Sequence, residues 1–343
     1  MRKKIAIIFG VTGQDGYYLT KLLSQKNYII HGVKRRSSSV PTKRIENFLD
    51  QKNFHVHYGD LTDSASIQNL INTIKPDEIY NLAAQSHVGV SFFTPLYTAN
   101  VNAIGVLAIL DAIKNSKKKI KFYQAGTSEM FGKTNDKFQS EKTEFKPQSP
   151  YGTAKLFAHH ITQNYRDAYK IFACNGILFN HESPFRGENF VTKKIISTLT
   201  KIKFGFEKKL ILGNLYSKRD WGHAKDYVEA IYKILQQKKA DDYVIASGKQ
   251  YSIKQFVNLT ASRLGIRLKW IGKGLREKAI TSSKKTIVEV DEKYFRPLEV
   301  DHLRGKYTKA RRILKWKPKT NIYQLIDEMI NEEKILIKNS KKL

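Results

Sequence analysis

The sequence predicts an α/β protein: a mainly parallel, doubly wound sheet with a smaller, interleaved α/β domain. Three observations carry this. Apolar strands alternate with amphipathic helices through the first half of the chain, a rhythm that builds parallel sheets covered on both faces. A glycine-spaced turn, Gly10-x-x-Gly13-x-x-Gly16, stands between the first strand and the first helix. The alternation then loosens from about residue 180, where a second unit is expected to begin.

Lys4–Phe9 is the first strand; its apolar run is too short for a signal peptide and passes straight into the glycine turn. Gly16–Gln25 reads as a helix, with Tyr18, Leu19, Leu22 and Leu23 at helical spacing. Tyr28–Val33 and His55–Tyr58 are the next strands. Ser64–Ile74 is a helix that ends before Pro76. Glu78–Leu82 is a strand running on into Ala83–His87, Val101–Lys114 a long helix, and Lys121–Ala125 a strand. Pro150–Tyr169 is a helix and Phe172–Leu178 a strand. Asn180–Gly187 reads as a loop, Val191–Phe204 as a helix, Leu210–Gly213 as a strand, Asp226–Gln236 as a helix, Tyr243–Ala246 as a strand and Ile253–Leu264 as a helix. A Lys/Gly-rich loop is expected from there to about Lys285, and 336–343 is expected to fray. The division implied is 1–178 with parts of 210–248 for the first domain, and 179–209 with 249–335 for the second.

Composition limits the function. A hydrophobic share of 41% in 343 residues supports a full core and excludes wholesale disorder. No run of 18 apolar residues is present, so no spanning helix is expected. The single cysteine, Cys174, excludes an internal disulfide and reads as a small core residue. The net charge of +30 is mainly Lys spread along the whole chain; Arg, the better reader of bases and phosphates, is scarcer. That favours a solvated surface attracting small anions over a nucleic-acid binder. No membrane partner and no metal are expected.

The glycine turn follows a strand and opens a helix, the context in which backbone amides receive a dinucleotide's diphosphate. Gly10, Thr12, Gly13, Gln14, Asp15 and Gly16 are its candidate contacts. An acidic residue at the end of the second strand would hold a ribose 2′-hydroxyl. The chain has Lys34-Arg35-Arg36-Ser37-Ser38-Ser39 instead, so Arg35, Arg36 and Ser37 point to a 2′-phosphate and hence NADP, or else form a basic loop. Asp60-Leu61 is a candidate adenine contact, with a turn or helix-capping role equally open for Asp60. Leu82, Ala84, Gln85 and Ser86 are candidates to wall the diphosphate and nicotinamide ribose.

Tyr151 and Lys155, four apart on one helix face, form a candidate base for a hydroxyl: a nearby ammonium and a cationic ring would lower the phenol's pKa. Thr127 can orient the hydroxyl. Glu129 adds a second acid–base group, able to take a proton alpha to a new ketone and return it to a departing hydroxyl.

These segments resemble the GDP-mannose 4,6-dehydratase family of extended short-chain dehydrogenases/reductases, which have a Rossmann fold. The blocks that carry the resemblance include Thr127-Ser-Glu129, Ser149-Pro-Tyr151 with Lys155, Asn175-Gly-Ile-Leu-Phe-Asn-His-Glu-Ser-Pro184, Arg219-Asp-Trp-Gly-His-Ala-Lys-Asp-Tyr227, Tyr294-Phe-Arg-Pro297 with Glu299, and Trp316-Lys-Pro318. The resemblance implies conversion of GDP-mannose to GDP-4-keto-6-deoxymannose, with a related GDP-sugar such as a GDP-heptose, or an epimerase or reductase of the same fold, as the alternatives. It also implies cofactor contacts from Tyr97, His181 and Arg186, and GDP-sugar contacts from Ser86, Glu129, Asn180, Lys193, Arg219, Arg296 and Glu299. It further implies a cytoplasmic homo-oligomer, dimer or tetramer. Gly126, Phe185, Phe93 and Leu96 depart from the family's usual residues.

Overall fold

The computed structural model describes residues 2–38 and 42–340; Ser39 and 341–343, on which part of the basic-loop and tail expectations fall, lie outside the described residues. Six strands alternate with helices from the start: β1 (Ile5–Phe9), α1 (Gln14–Gln25), β2 (Ile29–Lys34), β3 (Phe54–Tyr58), α2 (Ser64–Ile74), β4 (Glu78–Asn81), α3 (Val88–Ser91), α4 (Pro95–Ala99), α5 (Gly105–Lys114), β5 (Lys121–Ala125), α6 (Pro150–Tyr169) and β6 (Ala173–Leu178). The chain continues through β7 (Asn180–Glu182), α7 (Val191–Lys203), β8 (Leu210–Leu212), β9 (Lys218–His223), α8 (Ala224–Leu235), β10 (Tyr243–Ile245), β11 (Gln250–Ser252), α9 (Ile253–Arg263), β12 (Lys269–Ile271), β13 (Lys278–Ile280), β14 (Thr286–Val290), α10 (Thr308–Ile313) and α11 (Ile322–Ser340).

The main sheet has seven parallel strands in the order β10-β6-β5-β4-β1-β2-β3. Strand β1 is apolar on both sides because both sides are covered. Ala6 and Ile8 pack into one layer with Leu19, Leu23 and Ile231; Ile7 and Phe9 pack into the other with Ile71 and Ile109. Phe9 is level with Val33 on one side and Asn81 on the other, so the loops after β1, β2 and β4 leave from one edge. The strand order reverses between β1 and β4, where open α/β sheets bind ligands.

The second unit has a three-stranded sheet, β11-β9-β7, and a four-stranded sheet, β12-β13-β14-β8. Helices α7, α9 and α11 share its core through Ile195, Leu199, Phe256, Val257, Leu325 and Met329.

Several expectations are corrected. The loop expected to about Lys285 contains β12 and β13, and the one from Asn180 begins with β7. These strands are three residues each, too short to show a periodicity. The tail expected over 336–343 is helical through Ser340, anchored by the buried Ile330 and Ile337. Ala310, Leu314 and Trp316 return to the core of the first domain, although they fall in the stretch assigned to the second. The helix expected at Val101 starts at Pro95 and includes a π-type stretch, Asn100–Ile104. Pro95–Lys114 is, contrary to expectation, long and apolar enough to cross a membrane, because Asp111 and Lys114 are its only charges; over half of it is buried within the protein.

Candidate active site

The glycine turn is shaped by close backbone approach. Gly10 has φ +80°, and a Cβ there would lie 2.8 Å from the Ala83 amide nitrogen; one on Gly16 would lie 2.4 Å from the Val11 carbonyl oxygen. Gly13 caps α1 in an extended conformation, which leaves the amides of Gln14, Asp15 and Gly16 at the helix N-terminus, where no intrahelical acceptor exists. The side-chain-free surface and the aligned amides fit a dinucleotide's diphosphate.

Gln14 and Asp15 turn toward β7. Gln14 Nε2 donates to the His181 carbonyl (3.1 Å), and Ser183 Oγ donates to Gln14 Oε1 (2.8 Å). His181 Nε2 meets Asp15 Oδ2 at 2.8 Å, and Nδ1 meets the Phe179 carbonyl at 2.8 Å. Both ring nitrogens are thus committed, and the ring stacks on Tyr227. Burial opposes the charge on each partner, but the carboxylate beside His181 holds the imidazole above its ordinary pKa, and His181 holds Asp15 below its own. Arg44, which carried no sequence signal, donates to the Thr12 carbonyl (3.1 Å) and the Phe185 carbonyl (3.0 Å), tying the turn to the same segment.

Past β2, Arg35, Arg36 and Ser37 are exposed, and Arg35 donates to the Tyr97 hydroxyl, which brings two expected cofactor residues together. Asp60 accepts from the amide and hydroxyl of Thr62, a turn role, and Leu61 is buried against Gly105. The segment Leu82, Ala84, Gln85, Ser86 lies beside Gly10 and is held by Asn102 of the π-type stretch. Asn102 accepts from the Gln85 amide and donates to the Gln85 carbonyl, both at 2.9 Å. Asn102 was not expected; a polar residue inside an apolar helix was its only trace.

Strand β5 delivers Thr127 and Glu129 at its carboxyl end, and α6 brings Tyr151 and Lys155 beside them. Ser149 caps α6 by accepting from Gly152, and Ser91 Oγ accepts the Tyr151 amide (3.2 Å). Thr127 Oγ1 accepts the Glu129 amide (3.2 Å). Burial pushes the Tyr151 phenol up to about 12; the Glu129 charge adds to this, while Thr127 and Arg186 oppose it. Burial lowers Lys155 to about 8, and its Nζ donates to the Ala125 carbonyl at 2.9 Å.

Glu129 is buried, with Arg296 at 3.7 Å and Arg219 at 3.9 Å from Oε1. Arg219 donates to the Val300 carbonyl (2.7 Å), and Glu299, 3.9 Å from Arg296, accepts from Ser217 (2.8 Å). Arg219, Arg296 and Glu299 thus converge on the catalytic candidates. Arg186 pairs with Glu182 at 3.0 Å and lies over Phe190. Asn180 sits in β7 opposite Trp221. Lys193 is buried in an ion pair with Glu333 and donates to the Pro184 carbonyl (3.0 Å), which turns it away from the others. Phe93 and Leu96 are 87% and 80% exposed, and Phe185 packs on Tyr17.

The family model described as GDP-mannose 4,6 dehydratase matches residues 7–329. The chain is 51% identical over 337 residues to GDP-mannose 4,6 dehydratase 2 of Caenorhabditis elegans, covering 96% of this chain and 88% of the relative. It is 49% identical to GDP-mannose 4,6-dehydratase of Vibrio cholerae, covering 96% and 93%. In structure it is similar to dTDP-glucose 4,6-dehydratase of Bacillus anthracis in complex with NAD, with a TM-score of 0.81, 20% identity and 98% of each chain covered. It is also similar to RMD of Pseudomonas aeruginosa complexed with NADPH, with a TM-score of 0.76, 19% identity and 97% and 100% covered.

Proposed function

Because the chain belongs to the GDP-mannose 4,6-dehydratase family and is a hydro-lyase of that kind, we propose that NADP is its cofactor and that Thr127, Glu129, Tyr151 and Lys155 carry the reaction. The observation that carries the mechanism is Glu129, buried between two arginines and on the same short turn as Thr127. An alcohol oxidation alone needs only the tyrosine; loss of water needs a group that acts on carbon.

The glycine turn would hold the diphosphate, Arg35 and Arg36 the 2′-phosphate, and the Leu82–Ser86 segment the nicotinamide end. Folds of this kind carrying NAD and NADPH support a nicotinamide here. When bound, it would accept hydride at the start of the reaction and give it back at the end. Tyr151 takes the proton from the sugar's O4, with Thr127 orienting that hydroxyl. The resulting 4-ketone acidifies the proton on C5. Glu129 removes it and delivers a proton to O6, which leaves as water; the returning hydride would go to C6, and the proton held by Tyr151 goes to C5, restoring both the cofactor and the tyrosine. Arg219 and Arg296 are suited to the GDP diphosphate, and Glu299, held by Ser217 and close to Arg296, is the further GDP-sugar contact. Lys155 holds the Ala125 end of β5 and places a positive charge near the tyrosine.

Phe93 and Leu96 are largely exposed and Phe185 packs on Tyr17, so these departures give no positive reason to move the substrate from GDP-mannose to another GDP-sugar. Leu96 and Ile104 (52% exposed), eight apart along the Pro95–Lys114 helix, with Phe93 in the turn before it, are exposed apolar residues of the sheet domain. They mark the face through which a homo-oligomer would form.

The test is to denature the purified protein and identify the nucleotide it releases, and separately to incubate it with GDP-mannose without added NADPH and weigh the product. Release of NADP, and a product lighter by one water with no net cofactor consumption, are expected. Release of NAD would overturn the cofactor assignment alone. A product that forms only with stoichiometric NADPH would overturn the mechanism.

A further inference from the structure

One end of the four-stranded sheet carries a charge and apolar pattern that neither the reaction nor the core requires. Helix α7 runs out into Phe204-Gly205-Phe206, where Phe204 is 44% and Phe206 50% exposed. Gly205, with φ +82° and open space where a Cβ would stand, forms the tip. Lys201, Lys203 and Lys208 flank the tip, all exposed.

The sheet brings more cations to the same end. β8 begins at Leu210 beside Val288, and Lys269 pairs with Ile280 across the β12–β13 ladder. The turn before β12 and the turn before β14 therefore open at the end where the Phe204–Phe206 loop enters. A Cβ on Gly265 would lie 3.9 Å from Lys203 Nζ, which sets the turn before β12 against the loop. Those two turns carry exposed Arg267, Lys269, Lys284 and Lys285. Acids at this end are Glu207, in the loop itself, Glu289, already paired with Lys209 at 2.8 Å, and Asp327, paired with Arg263 at 2.9 Å.

We propose that this sheet end docks on an anionic lipid surface, with Phe204 and Phe206 entering the headgroup–acyl boundary and the surrounding Lys and Arg side chains lying over lipid phosphates. Two half-exposed aromatics on either side of a glycine, with mainly Lys cations around them, match the apolar-plus-cationic pattern of interfacial anchors. The ammonium is a compact charge on a long apolar stem, which lets it reach phosphates while the stem stays near the aromatics. A single-stranded nucleic acid would instead call for a groove of stacking platforms along a backbone track.

The experiment is sedimentation of the full chain with phosphatidylglycerol vesicles and with phosphatidylcholine vesicles at about 150 mM salt, comparing wild type with the double variant Phe204→Ser, Phe206→Ser. Both positions are exposed, so the variant should keep its circular dichroism and its turnover of GDP-mannose. Wild type is expected to sediment with phosphatidylglycerol only, and the variant's partitioning to fall about tenfold or more, the worth of inserting one to two aromatic side chains. Three results would overturn the proposal: no sedimentation of wild type with phosphatidylglycerol, equal sedimentation of the variant, or a loss in the variant of poly(U) binding with vesicle binding intact.

Discussion

Glu129 separates a dehydratase from a plain alcohol oxidoreductase. Glu129→Gln is expected to abolish water loss, at least about a thousandfold in rate, as removal of an acid–base group does. GDP-mannose deuterated at C5 should then show no washout of label into solvent. Lys155 makes a prediction of opposite sign for stability. Its folded pKa of about 8 lies below its ordinary 10.5, so the buried ammonium destabilises the fold fully below pH 8. That penalty fades as pH rises from 8 to 10.5. Lys155→Met should therefore be inactive yet more stable than wild type by up to about 3 kcal/mol near neutrality, with the gain shrinking toward pH 10 in thermal melts. The types and spacing of Thr127, Glu129, Tyr151 and Lys155 were legible in the sequence because chemistry demands them. The direction of the Lys155 side chain was not, because the carbonyl of Ala125 competes for it and leaves no mark on spacing.

The longer helices and β5 were legible nearly to the residue: α2, α6 and β5 stand where the sequence pattern placed them, and α1 and α7 differ by a turn or less, whereas β9 and β14, strands of six and five residues, were not read. Of the three-residue strands, β8 and β10 were legible as apolar runs, whereas β7 and β11 to β13, which carry polar residues, were not, since their existence depends on their partners. At this scale the tie between α1 and β7 has a measurable pH signature. Asp15 is depressed, so its contribution is present above 3.8, the ordinary value, and is lost as pH falls through the folded one. His181 is raised, so its contribution is present below 6.5 and is lost as pH rises through the folded value. Thermal melts of wild type and Asp15→Asn should differ most between pH 3.8 and 6.5 and converge on the alkaline side. The π-type stretch is tested by Asn102→Ala, which strips the reciprocal bonds from Gln85. A cost of about 1–3 kcal/mol is expected, together with faster loss of bound nucleotide on dialysis, while a purely structural role would lower the melting temperature and leave retention unchanged.

For the whole molecule the dominant quantity is a net charge of +30. Like charges distributed over one body repel, and salt screens them. The melting temperature should rise between about 20 and 300 mM sodium chloride; a fall would mean that attractive ion pairs outweigh the repulsion. The domain division was legible only in outline, because the chain crosses between units more often than its rhythm reveals. The edge strand β10 takes its place beside β6 after the chain has already left to form β7, β8 and β9, and Trp316 enters the first core still later. Such threading has a cost during synthesis. A ribosome that has released the whole glycine turn and the tyrosine–lysine helix has still not made the residues that close the layer behind them, so the nascent chain must wait, partly open, until nearly its last helix emerges. Chaperone dependence should accordingly track chain completion: fragments stopped before about residue 316 would stay bound to a holdase, and the finished chain would be let go.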